Sequence, residues 1–228
     1  SWSPARPSSV SAGPVPAIEA AGILRACGVG LADVRIAKNA AAAVSCADEL
    51  GYPVALKVES PHILHKTEAG GVALQLVDAA SVANAYARIV ENVTRHVSAA
   101  RIDGVLVQPM MTGGVEMVVG LHCDPVFGTV VMAGLGGIHV EVLKDVVFRK
   151  VPVTAAEAGR MFDELKSAAI LDGVRGAPAA DRAALAELTS AVSRFGAAAG
   201  ARLAELDLNP VCARPDGALA VDWVMVCS

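Results

Sequence analysis

Five groups of residues in this sequence have types and spacings that could do chemistry. The first is Lys57, alone among apolar neighbours in Pro53-Val-Ala-Leu-Lys-Val58. Burying an unpaired ammonium costs several kcal/mol, so Lys57 must reach an edge, a cavity or a charged ligand. Snorkelling from an edge strand is the plain alternative. The second is Ser60-Pro-His-Ile-Leu-His-Lys-Thr-Glu-Ala-Gly-Gly71, in which Gly70 and Gly71 could let backbone N–H groups approach an anion. His62 and His65 have a spacing open to metal binding, yet no third ligand is near them in sequence. An imidazole can also carry a phosphoryl group. The third is Gln108-Pro109-Met110-Met111, whose backbone could meet the edge of a flat base, with Glu116 within reach of a ribose. A hairpin turn explains that stretch equally well.

The fourth group is Gly134-Leu-Gly-Gly137 followed by Glu141, Lys144, Asp145 and Arg149. It opens no predicted helix, so a dinucleotide-binding fingerprint is rejected. Its charges could line a cleft or a solvated strand face. The fifth is Glu205-Leu-Asp207-Leu-Asn209-Pro210 with Asp222 further on. Alternation places Glu205, Asp207 and Asn209 on one strand face, and a returning hairpin brings Asp222 alongside. Carboxylates gathered this way repel one another unless a cation joins them. Magnesium takes one or two carboxylates and completes its shell from substrate phosphates.

The elements that must position these groups follow from periodicity and capping signals. Residues 1–16 are rich in Pro and Ser and read as a flexible linker behind some preceding domain. Helices are predicted over 17–27, 39–50, 79–96, 154–167 and 181–196, the fourth opening on a Thr154-x-x-Glu157 capping box. Strands are predicted over 34–37, 53–58, 72–77, 105–107, 115–121, 127–132, 140–148, 201–209 and 218–224. The fold class is α+β.

Composition excludes several classes. Of 228 residues, 54% are hydrophobic and 18% charged, too apolar for disorder beyond the ends. The uncharged stretch 126–140 is too short and glycine-rich for a membrane span. A net charge of −4 gives no footprint for nucleic acid. Five scattered cysteines fit neither a disulfide framework nor a zinc spacing and read as free thiols in a reducing, cytoplasmic setting.

Taken in order, GYPVALKVESPHILHKTEAGGV, GVLVQPMMTGGVEMVVG, DPVFGTVVMAGLGGIHVEVLKDVVFRKVP and ELDLNPV…AVD resemble the ATP-grasp part of ADP-forming acyl-CoA synthetases, relatives of the succinyl-CoA synthetase β subunit. The resemblance covers roughly residues 17–226. It implies an ATP-grasp fold of two α+β lobes clasping a nucleotide: a smaller lobe near 52–107, a larger one near 108–226, and 17–51 packed onto it. By the same resemblance Lys57 binds the ATP or ADP phosphates and the loop at Gly70-Gly71 covers them. Gln108 to Met110 form the adenine hinge, Glu116 meets the ribose, and Asn209 and Asp222 hold Mg²⁺ with Asp207 close by. Arg149 and Glu141 face the transferring phosphoryl group, and His65 receives it in turn. Pro109 stands where relatives more often carry Glu. The CoA-binding domain and the main phosphohistidine segment are not in these residues, so a CoA-binding partner domain or α subunit, together with an acyl substrate, is implied. The implied function is the nucleotide-binding half of the synthetase. A nucleotide-sensing module attached to a protein acetyltransferase is the alternative, and a carboxylate–amine ligase a more distant one. The intact Mg²⁺ and His65 set favours catalysis over sensing.

Overall fold

The computed structural model describes residues 12–63, 66–97, 101–137, 145–174 and 176–228. The chain divides into two compact units, the first from the described residues up to Leu31 together with Thr112–Ser228, the second from Ala32–Met111.

The second unit is a four-stranded antiparallel sheet with two helices. Its strands are β2 (Arg35–Ala37), β3 (Val54–Glu59), β4 (Val72–Leu76) and β5 (Gly104–Pro109), in the order β2-β5-β3-β4. The helices are α2 (Ala40–Leu50) and α3 (Ala79–His96). Asn39 caps α2 by accepting from the Ala42 N–H at 2.8 Å. Asp78 and Ser81 form a reciprocal capping box on α3. Val82, Ala85, Ile89 and Val93 recur at helical spacing on α3 and enter one core with Val54, Leu56, Val58, Val105 and Val107.

In the first unit a larger antiparallel sheet runs β1 (Gly13–Pro14), β11 (Trp223–Cys227), β9 (Leu203–Arg214), β6 (Val115–Asp124), β7 (Gly128–Leu135), β8 (Val146–Lys150), with β10 (Gly217–Ala220) paired to β9. Its helices are α1 (Ala17–Ala26), α4 (Ala155–Asp163) and α5 (Arg182–Ala199). Val119, Leu121, Val131, Ala133, Leu206 and Leu208 form the buried side of the sheet, in the core with Leu185, Val192 and Phe195 of α5. Gly196 lets α5 lie close, since a Cβ there would sit 2.8 Å from a Leu121 methyl.

Several expectations change. The linker reading of 1–16 fails at its end: Gly13 and Pro14 pair with β11, and the Val15 N–H donates to the Met225 carbonyl at 2.9 Å. Residues 1–11 lie outside the described part. The segment 17–51 does not pack as one piece, because α1 belongs to the first unit while β2 pairs with β5 and α2 shares the second unit's core. The helix expected over 154–167 stops at Asp163, and a separate 3₁₀ turn follows over Ala168–Asp172. The strand expected over 201–209 runs on through Pro210 to Arg214. The one expected over 218–224 is two strands broken at Val221 and Asp222. All five cysteines are free. Among the described residues no helix is long and apolar enough to cross a membrane.

Candidate functional site

The candidate residues fall into two groups, one in each unit. In the second unit Lys57 lies on β3, which has β5 on one side and β4 on the other. The edge-strand explanation therefore fails. Alternation sends Val54, Leu56 and Val58 into the helical core and leaves Ala55, Lys57 and Glu59 for the opposite face. Gln108, opposite Ala55, shares that face. Lys57, Glu59 and Gln108 are only 9%, 8% and 3% exposed. Glu59 accepts from the Lys66 ammonium at 3.3 Å.

The hinge stretch differs from the expectation in its backbone. The Met110 N–H donates to the Pro53 carbonyl at 2.9 Å, so it is committed within the sheet. Antiparallel backbone groups alternate in direction, so Gln108 and Met110 turn toward β3 while the Pro109 carbonyl turns to the other side. There β2 has already ended at Arg35, opposite Val107. The groups this edge offers a base are thus the Pro109 carbonyl and, next in alternation, the Met111 N–H. Sequence reading missed them because side-chain type carries no record of backbone direction.

Gly70 and Gly71 also differ. Their N–H groups donate to the carbonyls of Thr67 at 3.0 Å and Lys66 at 2.8 Å, closing the loop on itself. A Cβ on Gly71 would lie 2.5 Å from a Val58 methyl, and one on Gly70 would lie 2.8 Å from the Asn92 amide nitrogen. Close packing against Val58 is what requires Gly71, while Gly70 is required by its left-handed φ of 65°. His65 lies outside the described residues.

In the first unit Leu206 and Leu208 point to the buried side of β9, so Glu205 and Asp207 take the open side. Asp207 lies opposite Gly120 of β6 and Val224 of β11. The ladder then slips: Val119 pairs with Leu208 and Met117 with Val211, setting Asn209 and Pro210 together against Val118. This bulge meets the break between β10 and β11. The Asn209 N–H donates to the Asp222 carbonyl at 3.1 Å, and the Val221 N–H to the Pro210 carbonyl at 2.9 Å. Asn209 and Asp222 are adjacent as expected, held by two backbone irregularities side by side. Burial pushes the Asp207 carboxyl above the usual range, and the charges of Glu205 and Asp222 push it the same way. A divalent cation would relieve that repulsion, so the donor set fits one. Among the described residues no group of three or more His, Cys, Asp and Glu could hold a metal. A cation at Asn209 and Asp222 would need further ligands from the nucleotide.

Arg149 is not brought to this group. It lies opposite Val131, whose side chain is buried on the helical side, and its guanidinium pairs with Glu164 just after α4. Phe148 and Lys150 flank it on the open side. A one-residue difference in strand parity separates the two outcomes. Glu116 is exposed and lies opposite Cys212, and its carbonyl accepts from the Gly136 N–H at 2.7 Å. A Cβ on Gly136 would sit 2.9 Å from the Met117 backbone, which accounts for that glycine. Asp145 is a structural anchor, accepting from the Lys166 and Ser167 N–H groups at 3.0 and 2.8 Å. Glu141 lies outside the described residues.

Comparison with known proteins places the chain in a family. Residues 13–227 match the model of a family described as ATP-grasp domain. The chain belongs to the ATP-grasp family. Both the α+β class and the resemblance are borne out. This ATP-grasp chain is 39% identical over 208 residues to the β subunit of acetate–CoA ligase [ADP-forming] I of Pyrococcus furiosus, covering 91% of this chain and 89% of that one. It is 44% identical to acetate–CoA ligase [ADP-forming] I of Archaeoglobus fulgidus, over 95% of this chain but only 31% of the relative. A solved structure of the acetyl-coenzyme A synthetase 1 of Ca. Korarchaeum cryptofilum, in complex with coenzyme A, Ca-AMPCP and HgCl⁺, superposes with a TM-score of 0.90 at 38% identity. The match covers 95% of this chain and 94% of that one. The ATP-grasp chain thus spans less than a third of a longer relative and most of a separate β subunit.

Proposed function

We propose that the chain is the nucleotide-binding, phosphoryl-transferring part of an ADP-forming acyl-CoA synthetase, which catalyses acyl-CoA + ADP + Pi ⇌ carboxylate + CoA + ATP. The observation that carries this is the pairing of Asn209 with Asp222 beside Asp207, in a chain 39% identical to a β subunit of such an enzyme. In this reading Lys57 neutralises nucleotide phosphates, the Pro109 carbonyl and Met111 N–H meet the adenine edge, and Glu116 takes the ribose. Asn209 and Asp222 hold Mg²⁺, which would lower the cost of charge on the transferring phosphoryl group. Asp207 keeps that region negative enough to favour the metal. His65 accepts the phosphoryl group and Glu141 faces it, both carried over from the resemblance. CoA and the acyl group bind on a partner domain or α subunit, in the cytoplasm.

The test is reconstitution. Purified chain is combined with the CoA-binding half of a synthetase and assayed for ATP formation from acyl-CoA, ADP and phosphate. Lys57→Ala and Asp222→Ala each lower kcat/KM by about 30-fold or more, as loss of a preorganised charge stabiliser does. Wild-type rates in both variants would overturn the assignment.

A further inference from the structure

Of the two histidines in the Ser60–Gly71 group, the proposed function employs His65 and leaves His62 unused. Its Nδ1 accepts a hydrogen bond from the Arg101 backbone N–H at 3.1 Å. An N–H donor requires a lone pair, so Nδ1 is bare and the ring proton of the neutral imidazole sits on Nε2. The bond joins two segments that are 39 residues apart in sequence. On the loop side, the His62 N–H donates to the Ser60 hydroxyl at 3.2 Å, and Ile63 is 6% exposed within the second unit's core. On the other side, Arg101 precedes β5 and its guanidinium holds the Asp103 carboxylate at 2.7 and 3.0 Å. Beyond Ile63 only two residues, Leu64 and His65, intervene before Lys66, which is tied to Glu59 and Gly71.

We infer that His62 is a positioning residue that pins the segment 60–63, which leads in sequence to His65, through the Arg101 amide. This rests on the proposed function only for its effect on turnover. A protonated ring carries hydrogen on both nitrogens and cannot accept that bond, so the clasp opens in acid. Asp103 lies within electrostatic reach of His62, Arg101 and Lys38, and the Lys38 ammonium donates to the Asp103 carbonyl. An amide oxygen at the Nδ1 position would accept the same bond at any pH, so His62→Asn preserves the clasp and His62→Ala abolishes it.

The experiment has two independent parts. In the full chain, nitrogen-15 NMR of the imidazole reads the tautomer and hydrogen exchange reads the Arg101 amide. The proton is found on Nε2, Arg101 exchanges about five- to tenfold faster in His62→Ala, and His62→Asn restores protection. Acid speeds the wild-type exchange, after correction for its intrinsic pH dependence, and leaves His62→Asn unchanged. A proton on Nδ1, or unchanged Arg101 exchange in His62→Ala, overturns the clasp. In the reconstituted synthetase, His62→Ala lowers kcat with nucleotide KM unchanged, and His62→Asn restores kcat. Full kcat in His62→Ala despite a released Arg101 amide overturns the positioning role. If the wild-type assembly transfers no phosphoryl group, the proposed function fails, and the tautomer and exchange data still decide the clasp.

Discussion

Substituting Gly71 by alanine separates two explanations of the glycine pair. The added Cβ would lie 2.5 Å from the Val58 Cγ1 and 3.0 Å from the Lys66 carbonyl oxygen. Carbon atoms in contact sit about 3.5–4.0 Å apart, so the first overlap exceeds 1 Å. Val58 is fully buried on the second unit's central strand and, being β-branched, has few rotamers with which to give way. The Lys66 oxygen is backbone and is itself bonded to the Gly71 N–H. Overpacking of this kind costs about 1–3 kcal/mol. Gly71 does not have a positive φ, so no backbone strain adds to that figure. Urea unfolding of Gly71→Ala therefore shows a loss in this range, and Val58→Ala in the same chain returns part of it. The double-mutant coupling is at least about 1 kcal/mol in the direction of rescue. MgATP affinity of the folded variant, measured well below its melting temperature, stays within about twofold of wild type, a difference under ~0.5 kcal/mol. An unchanged unfolding midpoint with lost MgATP affinity would refute the packing argument and restore a phosphate cradle.

Three further expectations follow from the placements above. Arg149→Ala leaves nucleotide affinity unchanged and costs under about 1 kcal/mol of stability, since its partner Glu164 is half-exposed; a large affinity loss would show that strand parity misplaces it. Asp207 has a carboxyl pKa raised by burial and then by Glu205 and Asp222, so its contribution to stability is present below the unfolded value and is lost as pH rises through the folded one. Asp207→Asn consequently gains stability relative to wild type, without metal, as pH rises from the unfolded value of about 3.9 through the raised folded one, and urea midpoints measured across that rise check it; a constant difference would contradict the raised pKa. Pro109→Glu keeps the backbone carbonyl assigned to the adenine edge, so MgATP affinity changes by less than about threefold, whereas a tenfold loss, ~1.4 kcal/mol, would place the recognition in the side chain.

What the sequence made legible was whatever depends on local order. Helix α3 has the predicted bounds because Asp78 caps it and four apolar residues repeat along one face. The Glu205–Asp207 alternation and the return of Asp222 to Asn209 were legible for the same reason. The losses came from features without a local signature. Pro210 reads as the end of a strand, yet a bulge opposite Val118 lets the ladder continue to Arg214. Arg149 shares a short charged stretch with Lys150, and only the pairing of β8 with β7 decides which points to the helices. Gly70 and Gly71 advertise backbone freedom, and only the structure shows that Gly70 spends it on a left-handed φ while Gly71 makes room for Val58. His62 showed a spacing open to metal binding but no third ligand, while its partner Arg101 was distant in sequence.

In the proposed function this chain binds an adenine nucleotide with magnesium through Lys57 and Asp222. Calorimetric titration of MgADP and MgATP into the chain, beside Lys57→Ala and Asp222→Ala, measures that directly. Saturable one-site binding, weakened at least about tenfold in each variant, is the predicted result, a difference of ~1.4 kcal/mol. Binding of equal strength in all three proteins would contradict the account, and so would its absence from the wild type.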